Sequence, residues 1–159
     1  MAPPGFAEAL GAWPGAVTLL TIADGRDDIG TTVSAFCPVS TDPPLILVSL
    51  LAGSYPAEVL GRTDRFAVTL LAAAQRTLAG RFAAAGRPAA RVLLENVPRS
   101  RGEFSGALIP DGGLAALECA VDNRVPAGDH VLFVGRVANV PYVGEAGEPL
   151  VRFRGGYVR

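Results

Sequence analysis

The sequence contains no lysine: all fourteen basic residues among its 159 are arginine. That absence removes Schiff-base catalysis and the phosphate-binding lysine of a Walker-type loop. Histidine occurs once, as His130, and cysteine twice, as Cys37 and Cys119. With one histidine and no Cys-x-x-Cys pair there is no zinc constellation, and no metal is expected. The two thiols stand far apart in apolar, strand-like surroundings, which predicts two small buried side chains rather than a redox pair. The net charge of −1 provides no basic field to draw in nucleic acid or an anionic membrane surface. No apolar run approaches the ~20 residues needed to cross a bilayer. The N-terminus lacks a basic segment followed by an apolar one, so a cytoplasmic protein is expected. Two motifs are also missing. Without Gly-x-Gly-x-x-Gly after a strand, a nicotinamide cannot bind in the Rossmann manner. Without Gly-x-Ser-x-Gly, a nucleophilic Ser49, Ser54 or Ser105 would have to share the single His130. Redox chemistry, if present, must come from an organic cofactor.

What the sequence does have is core material: half the residues are apolar and only 18% are charged. One domain spanning 1–159 is expected. Apolar residues at 6, 9, 10 and 13 predict a short amphipathic helix ended by Pro14-Gly15. Residues 16–23 predict a strand turning at Asp24-Gly25, and residues 30–36 and 45–51 predict two more on either side of Asp42-Pro43-Pro44. Ser54 can cap a helix that accepts Pro56 in its first turn and runs to Gly61. Residues 65–71 predict a strand. Residues 75–85 carry Leu78, Ala79, Phe82 and Ala85 on one stripe, with Gly86 as a left-handed cap. Gly80 inside that helix hints at close packing or a close ligand approach, or at tolerated drift. Residues 91–113 read as loop with one short strand, and 114–125, 131–140 and 150–157 as three β-rich runs. Six or more strands, three short helices and frequent Gly or Pro turns predict a mainly β, closed or nearly closed barrel.

Three places could carry chemistry. The strand Gly30, Thr31, Thr32, Val33, Ser34, Ala35, Phe36 combines small and hydroxyl residues that let a planar ring approach closely, although such residues also suit a solvated strand face. Gly53-Ser54, between a strand and a helix, offers backbone N–H groups and a hydroxyl for a phosphate, and equally a plain helix cap. His130 opens a strand after Gly128-Asp129, so its ring is expected at the barrel rim as a hydrogen-bond donor or acceptor near neutral pH.

From Thr32 to Leu45, the run Thr-Val-Ser-Ala-Phe-Cys-Pro-Val-Ser-Thr-Asp-Pro-Pro-Leu closely resembles the signature of the flavin reductase family, the small components of two-component monooxygenases. Further blocks fall in family order: Phe66-Ala67-Val68-Thr69-Leu70-Leu71, Leu78-Ala79-Gly80-Arg81-Phe82-Ala83, Leu117-Glu118-Cys119, Gly128-Asp129-His130, and Arg154-Gly155-Gly156-Tyr157. The resemblance implies an FMN-binding split β-barrel of Greek-key-like topology. It implies a homodimer holding FMN or FAD between subunits, with NADH or NADPH as hydride donor and a partner oxygenase to receive the reduced flavin. By the same resemblance the strand from Gly30 to Phe36 runs along the flavin, and Ser49, Leu50 and Leu51 line that cleft. Gly53 and Ser54 meet the phosphate, while Leu78, Arg81, Phe82 and Ala83 cover the flavin. His130 faces the nicotinamide as the catalytic candidate, with Arg154 and Tyr157 near the mouth. Family members often carry Asn where Thr69 stands and a basic or Asn-containing turn where Leu51-Ala52-Gly53 stands. A barrel of the pyridoxamine-phosphate oxidase type depends on lysines this chain lacks, and a non-catalytic flavin-binding homologue is separable by turnover.

Overall fold

The computed structural model describes residues 1–25 and 27–158. A short helix α1 (Phe6–Gly11) leads through β1 (Gly15–Ala16) into the hairpin β2 (Thr18–Asp24) and β3 (Asp27–Val33). The strand β4 (Phe36–Thr41) pairs back on β5 (Pro44–Leu51) through the Asp42-Pro43 turn. Helix α2 (Tyr55–Thr63) follows, with the Ser54 Oγ accepting the Ala57 N–H at 3.3 Å and Pro56 in the first turn. That is the capping chemistry the sequence offers, because Ser satisfies one of the first-turn N–H groups and Pro has none to satisfy. The chain continues through β6 (Arg65–Leu70), a single 3₁₀ turn (Ala73–Gln75), α3 (Arg76–Ala83), α4 (Ala90–Leu93), β7 (Arg99–Arg101) and β8 (Leu108–Pro110). A long hairpin, β9 (Ala115–Ala127) with β10 (His130–Val143), turns at Gly128 with φ +62°, a conformation glycine adopts without strain. The chain closes with β11 (Val151–Phe153) and β12 (Gly156–Val158).

Seven strands form one antiparallel sheet in the order β3-β2-β6-β9-β10-β5-β4. Because β3 and β4, neighbours in sequence, lie at opposite ends of that order, the chain makes a Greek-key-like crossing and the sheet must curl to bring its ends together. Closure is incomplete: β3 approaches β5 without joining it in a ladder, and the Ser49 N–H donates to the Ala35 carbonyl at 3.0 Å, one step beyond the Phe36–Val48 pair of β4 with β5. The barrel interior is filled by Leu20, Ile22, Val48, Phe66, Val68 and Phe133, with Val59 and Leu60 of α2 plugging one end. A second cluster, Leu19, Leu71, Leu78, Phe82, Leu94 and Leu150, packs α3 and α4 on the other face of β2. Each such fully buried side chain contributes roughly 1.5–3 kcal/mol.

Several expectations change. Phe36 starts β4 instead of ending β3, since the chain breaks at Ser34-Ala35 to cross the split. The segment 91–113 holds α4 and two short strands, and the last β-run is a hairpin turned by Arg154 and Gly155, both at positive φ. Helix α3 ends at Ala83 with an extended Ala84, so Gly86 (φ +66°) serves a later turn and not a helix cap. Gly80 is exposed, with open space where a Cβ would stand, so neither close packing nor close approach explains it in the single chain. Cys37 is exposed on β4, contrary to the two-buried-thiols expectation, whereas Cys119 is buried in the barrel. Helix α1 ends at Gly11, so Trp13 of the expected stripe lies beyond it, and Phe6, Leu10 and Trp13 remain 47%, 59% and 78% exposed. Among the described residues, no helix is long and apolar enough to cross a membrane.

Candidate functional site

The split in the barrel holds the candidate site. A cleft of about 370 Å³ opens where β3 departs from β5, lined on one side by Thr31, Thr32, Val33, Ser34 and Ala35. Ser49, Leu50, Leu51 and Ser54 line the other side, and His130 also borders the cleft. Residues 31–35, 49–51, 54 and 130 are thus brought together from segments a hundred positions apart. The pairing explains how: β5 lies antiparallel to β10 with His130 opposite Leu51 and Leu132 opposite Ser49. Hydroxyls at Thr31, Thr32, Ser34, Ser49 and Ser54, set among backbone amides at an unclosed sheet edge, make a donor and acceptor array suited to a planar heteroaromatic ring with a polar side arm. Gly30 lines a neighbouring cleft, but the reason for glycine lies underneath. A Cβ there would stand 2.5 Å from the Phe82 ring.

Sequence reasoning missed Arg87. Its Nε donates to the Gly30 carbonyl at 2.8 Å and its Nη1 to the Ala84 carbonyl at 3.3 Å. The side chain lines the central cleft and also a second one of about 360 Å³. Among the described residues no carboxylate lies within ion-pair distance of it. Burial pulls its guanidinium below the ordinary arginine value, as expected for a cation desolvated without a counter-charge. A half-buried arginine held by two carbonyls and facing a cleft is a ready anion partner. Ser54 lines both clefts as well, and its hydroxyl hydrogen stays available while its oxygen caps α2. The one sequence signal for Arg87 is its place between turn residues in Gly86-Arg87-Pro88, which alone distinguishes nothing.

His130 sits at the rim as expected, its side chain 43% exposed. Its Nδ1 is 2.7 Å from Asp129 Oδ1. A carboxylate can only accept, and the hydrogen bond with His130 holds the Asp129 carboxyl below its ordinary range. The Nδ1 therefore carries a hydrogen, leaving Nε2 as the ring's second polar atom.

Other sequence candidates lie elsewhere in the single chain. Leu78 and Phe82 are buried in the second cluster beneath β3, and Arg81 and Ala83 are exposed on α3, lining none of these clefts. Gly53 is exposed at the turn before Ser54. Phe36 and Arg154 line a third cleft of about 520 Å³, which adjoins the central one through Ser34 and Ala35. Tyr157 is packed against the second cluster with the Arg76 guanidinium 5.4 Å above its ring. Among the described residues, no group of acidic, Cys and His side chains could hold a metal ion. Burial, with the Glu118 charge beside it, pushes the Cys119 thiol up to about 12, so it stays protonated and unreactive.

Comparison with known proteins points one way. The family model described as "Flavin reductase like domain" matches residues 10–159. The NADH-dependent FMN reductase AsuE2 of Streptomyces nodosus subsp. asukaensis is 38% identical over 152 residues, 96% of this chain and 82% of the relative. The reductase component of 4-hydroxyphenylacetate 3-monooxygenase from Thermus thermophilus is 35% identical over 154 residues, 97% of this chain and 94% of the relative. Among solved structures, the Streptomyces globisporus C-1027 NADH:FAD oxidoreductase SgcE6 in complex with NAD and FAD fragments is similar at TM-score 0.89 and 29% identity. That likeness covers 100% of this chain and 95% of the other.

Proposed function

Because the chain belongs to the flavin reductase-like domain family, we propose that residues 1–159 act as one NAD(P)H-dependent flavin reductase domain that supplies reduced flavin to a partner monooxygenase. The observation that carries this reading is the hydroxyl-lined cleft at the barrel split, bordered by His130 and by Arg87, which has no carboxylate partner among the described residues. When bound, flavin supplies the hydride acceptor and reduced nicotinamide the hydride, so the protein is left with positioning. Thr31, Thr32, Ser34 and Ser49 hold the ring edge and side arm by short-range hydrogen bonds. Arg87 and the Ser54 hydroxyl take the terminal phosphate, charge against charge. His130, oriented by Asp129, hydrogen-bonds the nicotinamide side.

The reading carries two further proposals. One is a homodimer, supported by the outer face of the β4-β5-β10-β9 half-sheet. Leu47, Leu132 and Val134 alternate there with the inward Val48, Phe133 and Gly135, and each is only partly covered in the single chain. The other is a cytoplasmic location, where reduced nicotinamide nucleotides are produced. The test is anaerobic mixing of the chain with flavin and NADH or NADPH, followed by loss of the oxidised-flavin colour. Reduction much faster than in the protein-free mixture is expected. Flavin that binds and stays oxidised with both donors would instead identify a non-catalytic flavin-binding homologue.

A further inference from the structure

The groove does not end at the phosphate partners. Arg87, Ser54 and Pro56 line the central cleft on one side and, on the other, the second cleft of nearly equal volume, about 360 Å³ against about 370 Å³. A flavin mononucleotide with its phosphate between Ser54 and Arg87 would fill the first and leave the second empty. The walls of that second cleft have a definite chemistry. Tyr55, at the first position of α2, is 50% exposed and presents an aromatic ring to it. Pro88 and Ala89 form an apolar wall, and Asp27 contributes a half-exposed carboxylate, one oxygen of which lies 3.7 Å from the Arg91 guanidinium. Asp28, also in the lining, is already neutralised by the bidentate Arg101 guanidinium at 2.7 and 2.9 Å, so it adds no unbalanced charge against an anion. An aromatic face, an apolar wall and a carboxylate, following directly on an anion site, are the groups that receive a nucleoside: stacking for the base, hydrogen bonds for the ribose hydroxyls.

We infer that this second cleft is an adenosine subsite, with Tyr55 stacking on the base and Asp27 accepting from the ribose, and that it makes FAD the preferred flavin. The inference rests on the flavin reading above and goes beyond it by choosing between the two flavins. Tyr55 acts on this choice alone, because it lines the second cleft and not the first.

The test is fluorescence titration of the full chain with FMN and, separately, with FAD. FAD is expected to bind about tenfold more tightly than FMN, in line with the loss usually seen when one stacked base contact is removed. Tyr55→Ala should collapse that ratio to near unity, whereas Tyr55→Phe, which keeps the ring, should preserve it. Adenosine monophosphate alone should compete with FAD and fail to compete with FMN bound to Tyr55→Ala. Equal affinities for FMN and FAD, unchanged by Tyr55→Ala, overturn the adenosine subsite while leaving the flavin reading intact. Absence of binding by either flavin overturns both.

Discussion

At the scale of single residues, His130 tests whether the cleft positions a reactant or merely exposes a ring. Its Nδ1 is committed to Asp129 at 2.7 Å, so replacing it removes one oriented hydrogen-bonding group and no packing core. We expect His130→Ala to leave flavin affinity close to wild type and to slow flavin reduction by about 10²-fold or less, as befits chemistry that belongs to the cofactor. Stopped-flow reduction of bound flavin decides this, and a wild-type rate with both NADH and NADPH would make His130 structural. Arg87 is the residue a reader of the sequence could not single out among fourteen arginines. What sets it apart is a fold-level fact: two backbone carbonyls and, among the described residues, no carboxylate around a partly desolvated cation. Thr69 is the contrasting case. It is wholly buried, and its Oγ1 has no hydrogen-bond partner among the described residues. The departure from Asn at this position therefore falls inside the core, away from the clefts.

At the scale of elements, the segment between β7 and β8 is held to the barrel by a buried carboxylate and by Arg65 of β6, which donates to the Phe104 carbonyl at 3.0 Å. Glu118 on β9 accepts from the Ser105 N–H at 2.8 Å, the Ser105 hydroxyl at 2.6 Å, the Phe104 N–H at 3.2 Å and the Asn139 amide at 2.7 Å. Burial alone raises its pKa, but the hydrogen bonds from Ser105, Asn139 and Phe104 outweigh it and hold the carboxyl below its ordinary value. A group with a depressed folded pKa stabilises fully above its unfolded value, near 4.5, and loses that contribution as the pH falls through the folded one. We therefore expect Glu118→Gln to cost about 2 kcal/mol at neutral pH, measured by denaturant unfolding. The gap between the two proteins should close as the pH drops below the ordinary glutamate range. A gap constant with pH would mean the carboxylate's charge contributes nothing to the latch. Gly102 belongs to the same element for a steric reason, since a Cβ there would collide with the Glu118 carboxylate.

At the scale of the whole molecule, the uncovered surfaces ask for a second copy. The outer side of the β4-β5-β10-β9 half-sheet carries Leu47, Leu132 and Val134, and Leu51, Val39 and Val125 beside it are 51%, 50% and 40% exposed. Leu51 also lines the central cleft, so a partner covering this face would wall the flavin site too. The expected result in light scattering is twice the 16.4 kDa chain mass. Leu132→Glu, which places a charge in the apolar face, is expected to yield monomers with weakened flavin binding. A wild-type monomer that binds flavin with full affinity would count against this arrangement.

The sequence alone determined the β-rich class, the strand that turns at Asp24-Gly25, the Ser54 cap and the strand through Thr31, Thr32 and Val33, because these depend on residue type and local spacing. Its run of family motifs also carried the flavin reading. It could not place Leu78 and Phe82, whose apolar character suits a cofactor cover and a core equally well; packing against Leu19 and Leu150 put them in the core. Nor could it assign Cys37, whose exposure follows from which face of β4 looks outward. The tertiary structure alone decided that β3 stops short of pairing with β5, that Arg87 and His130 both border the opening, and that a second cleft shares Arg87 with it. Each of these joins residues many positions apart, and such distances are set by how the sheet curls and packs.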